Sequence, residues 1–401
     1  MKAGWQRKSI GDVCDVVNGG TPKTGVLEYW DGPHQWITPA EMGKRATPYI
    51  GQTERTITDA GMQNSSARLL PEQSVILSSR APIGHLVINT TPMATNQGCK
   101  GLVPRNGLDS KYLYYYLTSI VPLLNDLGTG TTFKELSGGK LKEVPVPVAP
   151  LPEQHRIVAI LDEAFDGIAT ARANAEQNRQ NARALFESHL QSVFTERGEG
   201  WVETTLGDEI DLLVGFAFKS AQYSNGDEDI RLLRGDNIVQ GSLRWEDVKK
   251  WPRGDTAAYD RYWLHKDDVV LAMDRPWVKA GLKHATISPD DLPCLLVQRT
   301  ACLRSKVNLD SRFLIYLVRS AAFIQHILGV QTGIGVPHIS GQQIKDFMFS
   351  KPPVAVQRGI AEKLESLSGE IQTLESLYQQ KLAALDELKK SLLHQAFSGV
   401  S

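Results

Sequence analysis

The sequence predicts an α+β chain, built as two similar globular domains joined by two long helices that pair as a coiled coil. Three observations carry that reading. The chain repeats itself once, two long stretches hold an apolar seam of heptad spacing, and short β-rich runs alternate with helical ones.

The repeat sets the order of the elements. Gly4-Trp5, Ile10-Gly11-Asp12, Asp15, Gly19 and Lys23 return at a constant offset of 196 as Gly200-Trp201, Leu206-Gly207-Asp208, Asp211, Gly215 and Lys219. Further on, Ser74-Val75-Ile76-Leu77, Arg80 and Pro82 answer Asp268-Val269-Val270-Leu271 and Arg275-Pro276. Residues 112–117 answer 313–318, and Ser137-Gly138 answers Ser340-Gly341. Four segments follow: a globular domain over 1–150, a helix over 151–197, a second globular domain over 198–352 and a second helix over 353–401.

Inside the globular parts, residues 74–77, 85–89, 269–273 and 295–297 read as strands from their β-rich composition and flanking turn residues. Residues 110–124 and 311–328 read as one aromatic-apolar helix in each domain. Residues 144–152 carry four prolines and so lack four amide donors, which predicts a stiff extended lead-in with Pro152 in the first turn of the helix. Lys351-Pro352-Pro353 takes that part in the second half.

Each long helix then has its seam. In the second, Ile360, Leu364, Leu367, Ile371, Leu374, Tyr378, Leu385, Leu388 and Leu392 alternate spacings of four and three, with Lys381 as a polar break. In the first, Ile157, Leu161, Ala164, Ile168, Ala171, Ala175, Asn178, Ala182 and Leu185 share that phase. The alanine-rich stripe leaves room for the leucine-rich one. No internal proline interrupts either stretch, so each helix can run about 40 residues at 1.5 Å rise per residue.

Composition is that of an ordinary soluble chain, 41% apolar and 22% charged with net charge −1 over 401 residues. The polar start holds no signal peptide, no apolar run is long enough to span a bilayer, and a cytoplasmic location is expected. Cys14, Cys99, Cys294 and Cys302 form no CxxC pair, and the nine histidines form no HxH or HxxxH, so neither a zinc site nor a disulfide framework is expected. Only residues 1–150 are net basic, with 15 Lys and Arg against 12 Asp and Glu. DNA binding therefore needs local patches or partners.

Little in the chain is suited to catalysis. There is no phosphate loop of the GxxxxGK[ST] form and no glycine-rich cofactor loop beside a polar-Pro-Pro-aromatic motif. Pro293-Cys294 stands in no nucleophile context, and the acid pairs Asp267-Asp268 and Asp290-Asp291 lack a third metal ligand, which fits solvated turns. Gly128-Thr129-Gly130 and Gly333-Ile334-Gly335 read as turns that could also cradle an anion. Two stretches instead mix basic, amide and aromatic groups in loop-like settings, the types that contact phosphates and base edges. One runs over 80–100 and the other over 275–299. Beside that reading stands a plain one, in which the arginines cap or pair and Asn96 or Gln97 satisfies backbone.

In this order and duplication the motifs resemble the specificity subunit of type I restriction-modification systems. The residues concerned are Arg80, Gly84 and Asn96-Gln97-Gly98, then Leu233-Arg234-Gly235-Asp236-Asn237-Ile238, then Asp274-Arg275-Pro276, Gly281-Leu282-Lys283 and Val297-Gln298-Arg299. Ser340-Gly341-Gln342-Gln343-Ile344 and Pro152-Glu153-Gln154 complete the set, and Val356-Gln357-Arg358-Gly359 departs from it through Gly359.

The resemblance implies two target-recognition domains on an antiparallel two-helix spacer, each reading one half of a bipartite, asymmetric double-stranded DNA sequence. It implies two methyltransferase subunits docked on the helices and two restriction subunits added optionally. The chain itself would then be non-catalytic and bind no cofactor, with S-adenosylmethionine, and ATP and Mg for restriction, on the partners. The expected DNA contacts in the first domain are Arg80, His85, Asn96, Gln97, Lys100, Thr129, Thr131, Thr132 and Lys134. In the second they are Arg234, Asn237, Arg275, Trp277, Lys279, Lys283, Gln298 and Arg299. Two other classes stay open at this point: a DNA-independent coiled-coil adaptor, and a methyltransferase or nuclease with an unrecognised site.

Overall fold

The computed structural model describes residues 4–45, 47–80, 82–130, 134–333 and 335–398. The chain divides into two units, Met1–Glu176 with Gln379–Ser401, and Gln177–Tyr378.

In the first unit an antiparallel sheet runs Cys14–Asn18, Cys99–Pro104, Val75–Ser79 and Ile83–Asn89, with Tyr49–Ile50 added in parallel at the edge. Strand alternation divides the apolar residues between its two faces. Val75 and Leu77 enter one core with Tyr112, Leu113 and Leu117 of the helix Ser110–Ser119, while Ile76 enters another with Ile37, Val87 and Met93. A strand covered on both sides reads as a continuous apolar run, which is why residues 74–77 stand out in the sequence. On the far side, Trp30–Ile37 pairs in parallel with Met93–Thr95 and antiparallel with Arg55–Ile57.

The second unit repeats this frame. Ile210–Val214, Thr300–Ser305, Val269–Ala272 and His284–Thr286 form the antiparallel sheet, and Ile230–Leu233 pairs in parallel with Cys294–Leu296. Val269 and Leu271 enter the core of the helix Ser311–Arg319, and Val270 and Ala272 enter the opposite one.

Two local expectations change. The single helix expected over 110–124 is two, Ser110–Ser119 and Val121–Leu127, with Pro122 in the first turn of the second piece. That over 311–328 is also two, Ser311–Arg319 and Ala321–Val330, bent by 61°. Ser320 causes the break: it takes extended dihedrals and its hydroxyl accepts the Phe323 amide at 3.2 Å, capping the second piece. The proline-rich lead-in is also an edge strand, Pro145–Val148, paired with Gln6–Ser9. Its alternate prolines turn their carbonyls toward tyrosines, since Tyr112 donates to Pro147 at 2.6 Å and Tyr116 to Pro145.

The long helices run Leu151–Thr195 and Val354–Ser398 and pair antiparallel within each unit. In the first, Arg172 pairs with Asp386, Lys389 lies over the Phe165 ring, and Phe397 meets Tyr112 and Tyr116 edge-on. In the second, Arg183 pairs with Glu375, and Ala182, Phe186 and Leu190 pack with Leu364, Ile371 and Tyr316. Gly359 does not interrupt the second helix.

The heptad seam drifts at its end. Leu185, placed in the seam by the sequence pattern, is 61% exposed, whereas Phe186 is 5% exposed and Leu190 fully buried. From Ala182 the buried positions step by four, because here the helix packs on Tyr316 and Ile315 of the globular part as well as on its partner helix. A helix serving two surfaces keeps its natural period near 3.6 residues instead of the coiled-coil period of 3.5. Leu374 and Leu388, also assigned to the seam, are partly exposed.

Candidate nucleic-acid interface

The frame brings the ends of three segments together at one edge of each unit. In the first, Ser79 donates its amide to the Gly98 carbonyl (2.7 Å) and accepts from the Leu136 amide (2.8 Å). Arg80 then bridges Glu135, and Glu135 bridges Thr129. In the second, Met273 donates to the Arg299 carbonyl (2.9 Å) and accepts from Ile339 (2.9 Å), Asp274 bridges His338, and His338 bridges Thr332. Strand end, loop and hairpin thus meet by the same main-chain bonds, while the side chains they carry differ.

The second unit gathers the richer set. A cleft of about 390 Å³ is lined by Arg234, Asp236, Asp274, Arg275, Lys283, Gln298 and Arg299, with Tyr223 and Val336 beside them. Four cations face two acids there, which suits an anionic polymer. Arg299 donates to Asp274 at 2.5 Å and Arg234 to Asp236 at 3.4 Å. Arg275 and Arg299 have φ of +45° and +64°, a region that side chains rarely adopt. The Arg275 amide is held there by the Pro337 carbonyl at 2.6 Å. Lys283 is half-buried and donates to the Gly235 carbonyl. Burial depresses its ammonium below the ordinary lysine range; Asp236 opposes this, while Arg244 and Arg275 add to it.

The other residues expected in this domain lie elsewhere. Asn237 is buried beneath the cleft, its carbonyl accepting from the Arg234 amide (3.0 Å) and its amide donating to Arg244 (3.0 Å). These two bonds shape the turn, and the side chain is 6% exposed. Trp277 and Lys279 belong to the small hairpin Trp277–Val278 and Gly281–Leu282, where both are exposed. Trp277 lines a separate cleft with Gln240, Arg319 and Gln372.

In the first unit, Arg80 stands 3.9 Å and Lys100 4.0 Å from the Glu135 carboxylate. Lys100 is nearly covered. Gly98 makes the arrangement possible, because a Cβ there would lie 3.2 Å from Arg80 Nε. Asn96 folds its loop, accepting from the Gly98 amide (2.7 Å) and donating to Thr21 (3.0 Å). Gln97 is exposed, as are Thr129 and Lys134. His85 is half-buried with its ring on Gly43, and its amide donates to Ser78 at 2.8 Å. Thr131 and Thr132 lie outside the described residues.

Sequence reasoning left out Glu135 and Tyr223, and it quoted Asp236 and Asp274 as motif residues without placing them beside the arginines. The sequence repeat matches Arg80 with Arg275, whereas the main-chain bridges place Asp274 at the position of Arg80 and Glu135 at that of His338, so the repeat read one residue out of step here.

The residues considered for catalysis have structural partners. Burial pushes the Cys294 thiol up to about 12, which removes its nucleophilic form at neutral pH. Asp268 is buried and gripped by Arg304 through two bonds of 2.7 and 2.6 Å. Asp291 accepts from Ser288 and from Trp245 Nε1. Among the described residues no three His, Cys, Asp or Glu gather as metal ligands. No single helix is long and apolar enough to cross a membrane, and the bent pair Ser311–Arg319 with Ala321–Val330 buries Phe313, Leu317, Phe323 and Ile327 in the core.

Comparison with known proteins agrees with this frame. The profile described as "Type I restriction modification DNA specificity domain" matches residues 2–177 and 198–382, once per repeat. The type I restriction enzyme MjaIX specificity subunit of Methanocaldococcus jannaschii is 32% identical over 247 residues, 61% of this chain and 56% of that protein. The EcoAI specificity subunit of Escherichia coli is 38% identical over 183 residues, 45% of this chain and 30% of that protein. The chain thus matches about half or less of the length of these two relatives. The MjaVIII specificity subunit of M. jannaschii matches across 98% of this chain and 92% of its own length at 22% identity. Among solved structures, the HsdS subunit of Thermoanaerobacter tengcongensis superposes with a TM-score of 0.64 at 17% identity, covering 100% of this chain and 98% of that one. A chain from a study of complex assembly in a type I R-M system reaches 0.79 at 16% identity, covering 99% and 98%. Both likenesses establish the fold.

Proposed function

The chain belongs to the type I restriction-modification DNA specificity family, and from that premise we propose that it is the sequence-reading subunit of a type I complex. Each globular domain reads one half of a bipartite double-stranded DNA target. The observation that carries this reading is the edge shared by both domains. One main-chain frame holds Arg80, Lys100 and Glu135 in the first and Arg275, Arg299, Lys283 and Asp274 in the second. A repeated frame with unlike side chains suits two unlike half-sites, and so an asymmetric target.

The long helices bind two methyltransferase subunits, to which two restriction subunits add in a system that cuts. The chemistry then belongs to those partners: S-adenosylmethionine supplies the methyl group there, and ATP with Mg serves restriction. This chain supplies position only, working in the cytoplasm where the DNA lies. Two other readings have less behind them. Cys294 is buried with its thiol protonated, and Asp268 and Asp291 of the acid pairs are engaged structurally, while a DNA-independent adaptor gives no role to four cations in one cleft.

The test is to co-express the chain with the methyltransferase subunit from its own genome and map methylated adenines or cytosines in host DNA. A single interrupted motif of two unlike halves is the expected result. Methylation at one contiguous site, or none that depends on this chain, overturns the reading.

A further inference from the structure

Resting on the reading of the chain as a DNA reader, we propose that each domain directs one guanidinium, aimed by a carboxylate, at the N7 and O6 acceptors of a guanine in its half-site. In the first domain the pair is Arg80 with Glu135, and in the second Arg299 with Asp274.

The observation is an exchange within one frame. By their main-chain bonds, Gly98 and Arg299 hold the same place, as do Arg80 and Asp274, and Glu135 and His338. In the first domain the arginine stands at the strand end, its Nε packed against the bare Cα of Gly98, and its acid partner comes from the hairpin. In the second domain the glycine place holds Arg299, and the strand end supplies the acid. A guanidinium beside a carboxylate therefore survives at this edge although both partners have moved.

Stability does not account for that survival. The frame is held by main-chain bonds, with the Ser79 hydroxyl also donating to the Gly98 carbonyl and the Thr332 hydroxyl meeting the His338 ring, and an ion pair as open as these contributes little. Arg299 is 68% exposed at its side chain, and it keeps a left-handed backbone (φ +64°) that is unfavourable for a residue with a side chain. Backbone strain retained at an exposed arginine points to a task for that arginine.

The acid decides which task. A carboxylate beside a cation cancels much of its pull on a phosphate, so a phosphate contact is better served by an exposed lysine such as Lys134 or Lys279. What the carboxylate supplies is direction: Asp274 accepts from Arg299 Nη1 and takes one side of its guanidinium fork, while Glu135 stands 3.9 Å from Arg80 Nη1 as a looser electrostatic guide, and the remaining donors are left for a ligand. Two parallel donors match the adjacent N7 and O6 acceptors that only guanine presents in the major groove. Arg80 and Arg299 are then the contacting residues, and Glu135 and Asp274 are positioning residues.

The experiment uses the whole complex with its methyltransferase subunits, selecting from duplex DNA randomised over the target. Arg299→Ala is expected to lose the preference for one guanine in one half-site by roughly tenfold or more, leaving the other half-site unchanged. Arg80→Ala does the same in the opposite half. Asp274→Asn weakens the same guanine preference as Arg299→Ala without lowering the salt dependence of binding. Replacing that guanine with 7-deazaguanine, which lacks the N7 acceptor, weakens the parent complex and leaves Arg299→Ala unaffected. The proposal is overturned if Arg299→Ala keeps every guanine preference. It is equally overturned if affinity falls evenly over all sequences with a shallower salt slope, which makes Arg299 a phosphate contact. If the parent complex selects no two-part sequence at all, the DNA-reading function itself has failed.

Discussion

Gln154 and Gln357 make matching sets of three hydrogen bonds at the first turns of the two long helices. Gln154 accepts from the Asp109 amide (2.9 Å) and donates to the carbonyls of Gly107 (2.8 Å) and Ala149 (2.7 Å). Gln357 accepts from Asp310 (2.8 Å) and donates to Asn308 (3.1 Å) and Pro352 (2.8 Å). Both side chains are fully buried. Each amide ties the helix start to the loop that caps the domain's aromatic helix. Gln154→Leu keeps the volume but strands one amide and two carbonyls, so it should lower the first unit's unfolding free energy by about 3 kcal/mol. Urea unfolding followed by tyrosine fluorescence measures this; a loss under about 1 kcal/mol would show that water replaces the side chain.

The elements with a strong period were legible before any coordinates. The heptad seams predict helices over 151–197 and 353–401, and the structure has Leu151–Thr195 and Val354–Ser398, while the apolar runs at 75–77 and 269–271 mark the central strands. Where a residue answers to something distant, the sequence said little. Asp274 and Arg299 are far apart in the chain and meet only through strand register, which no local pattern encodes. Ser320 breaks a helix whose composition is helical throughout, because a cap competes with continuation only when the turn has a surface to fold onto. Lys100 and Asn237 belong to residue types that read as DNA contacts, yet the fold buries both, and burial is a property of the tertiary structure.

The drift of the first helix's seam makes a paired prediction. Leu185→Gln should leave stability within about 0.5 kcal/mol of the parent, since the side chain is largely in water already. Its neighbour behaves differently. Phe186 is buried against Leu364 and Ile371, with the Arg319 guanidinium 4.8 Å from its ring centre, so Phe186→Ala should cost about 3–4 kcal/mol. Thermal denaturation of both variants decides the matter, and equal destabilisation by the two would restore the uniform heptad seam.

Acid should destabilise the second unit through His284. Burial, with Arg319 nearby, lowers this imidazole to about 4 from an ordinary 6.5, against a smaller raising effect of the Leu282 carbonyl. The folded state therefore refuses a proton that the unfolded chain accepts. At pH 7 both states are neutral and the group contributes nothing to the pH slope. As pH falls below about 6.5 the unfolded chain is protonated first, and stability drains away until the folded pKa is reached. Between pH 7 and 4.5 the parent should lose on the order of 2 kcal/mol more than His284→Gln, at 1.36 kcal/mol per pKa unit. Unfolding curves at those two pH values give the comparison directly, and parallel losses would place the acid sensitivity elsewhere.

Arg275 and Lys279 should separate backbone strain from charge. Arg275 carries φ +45° at the cleft, and Lys279 is exposed on the hairpin turn, with no ion pair among the described residues. Arg275→Gly relieves the left-handed backbone and should raise stability, although glycine's extra freedom in the unfolded chain limits the gain to a few tenths of a kcal/mol. The same change removes a cation from the cleft, so DNA binding by the assembled complex should weaken while the protein becomes no less stable. Lys279→Ala should act on DNA alone, weakening all sequences alike and reducing the slope of log K against log salt by about 0.9 if the lysine meets one phosphate. Binding titrations at several salt concentrations read both effects. An unchanged slope for Lys279→Ala would remove the hairpin from the interface, and a less stable Arg275→Gly would mean that the arginine side chain, and not the DNA, is what holds that turn in its strained form.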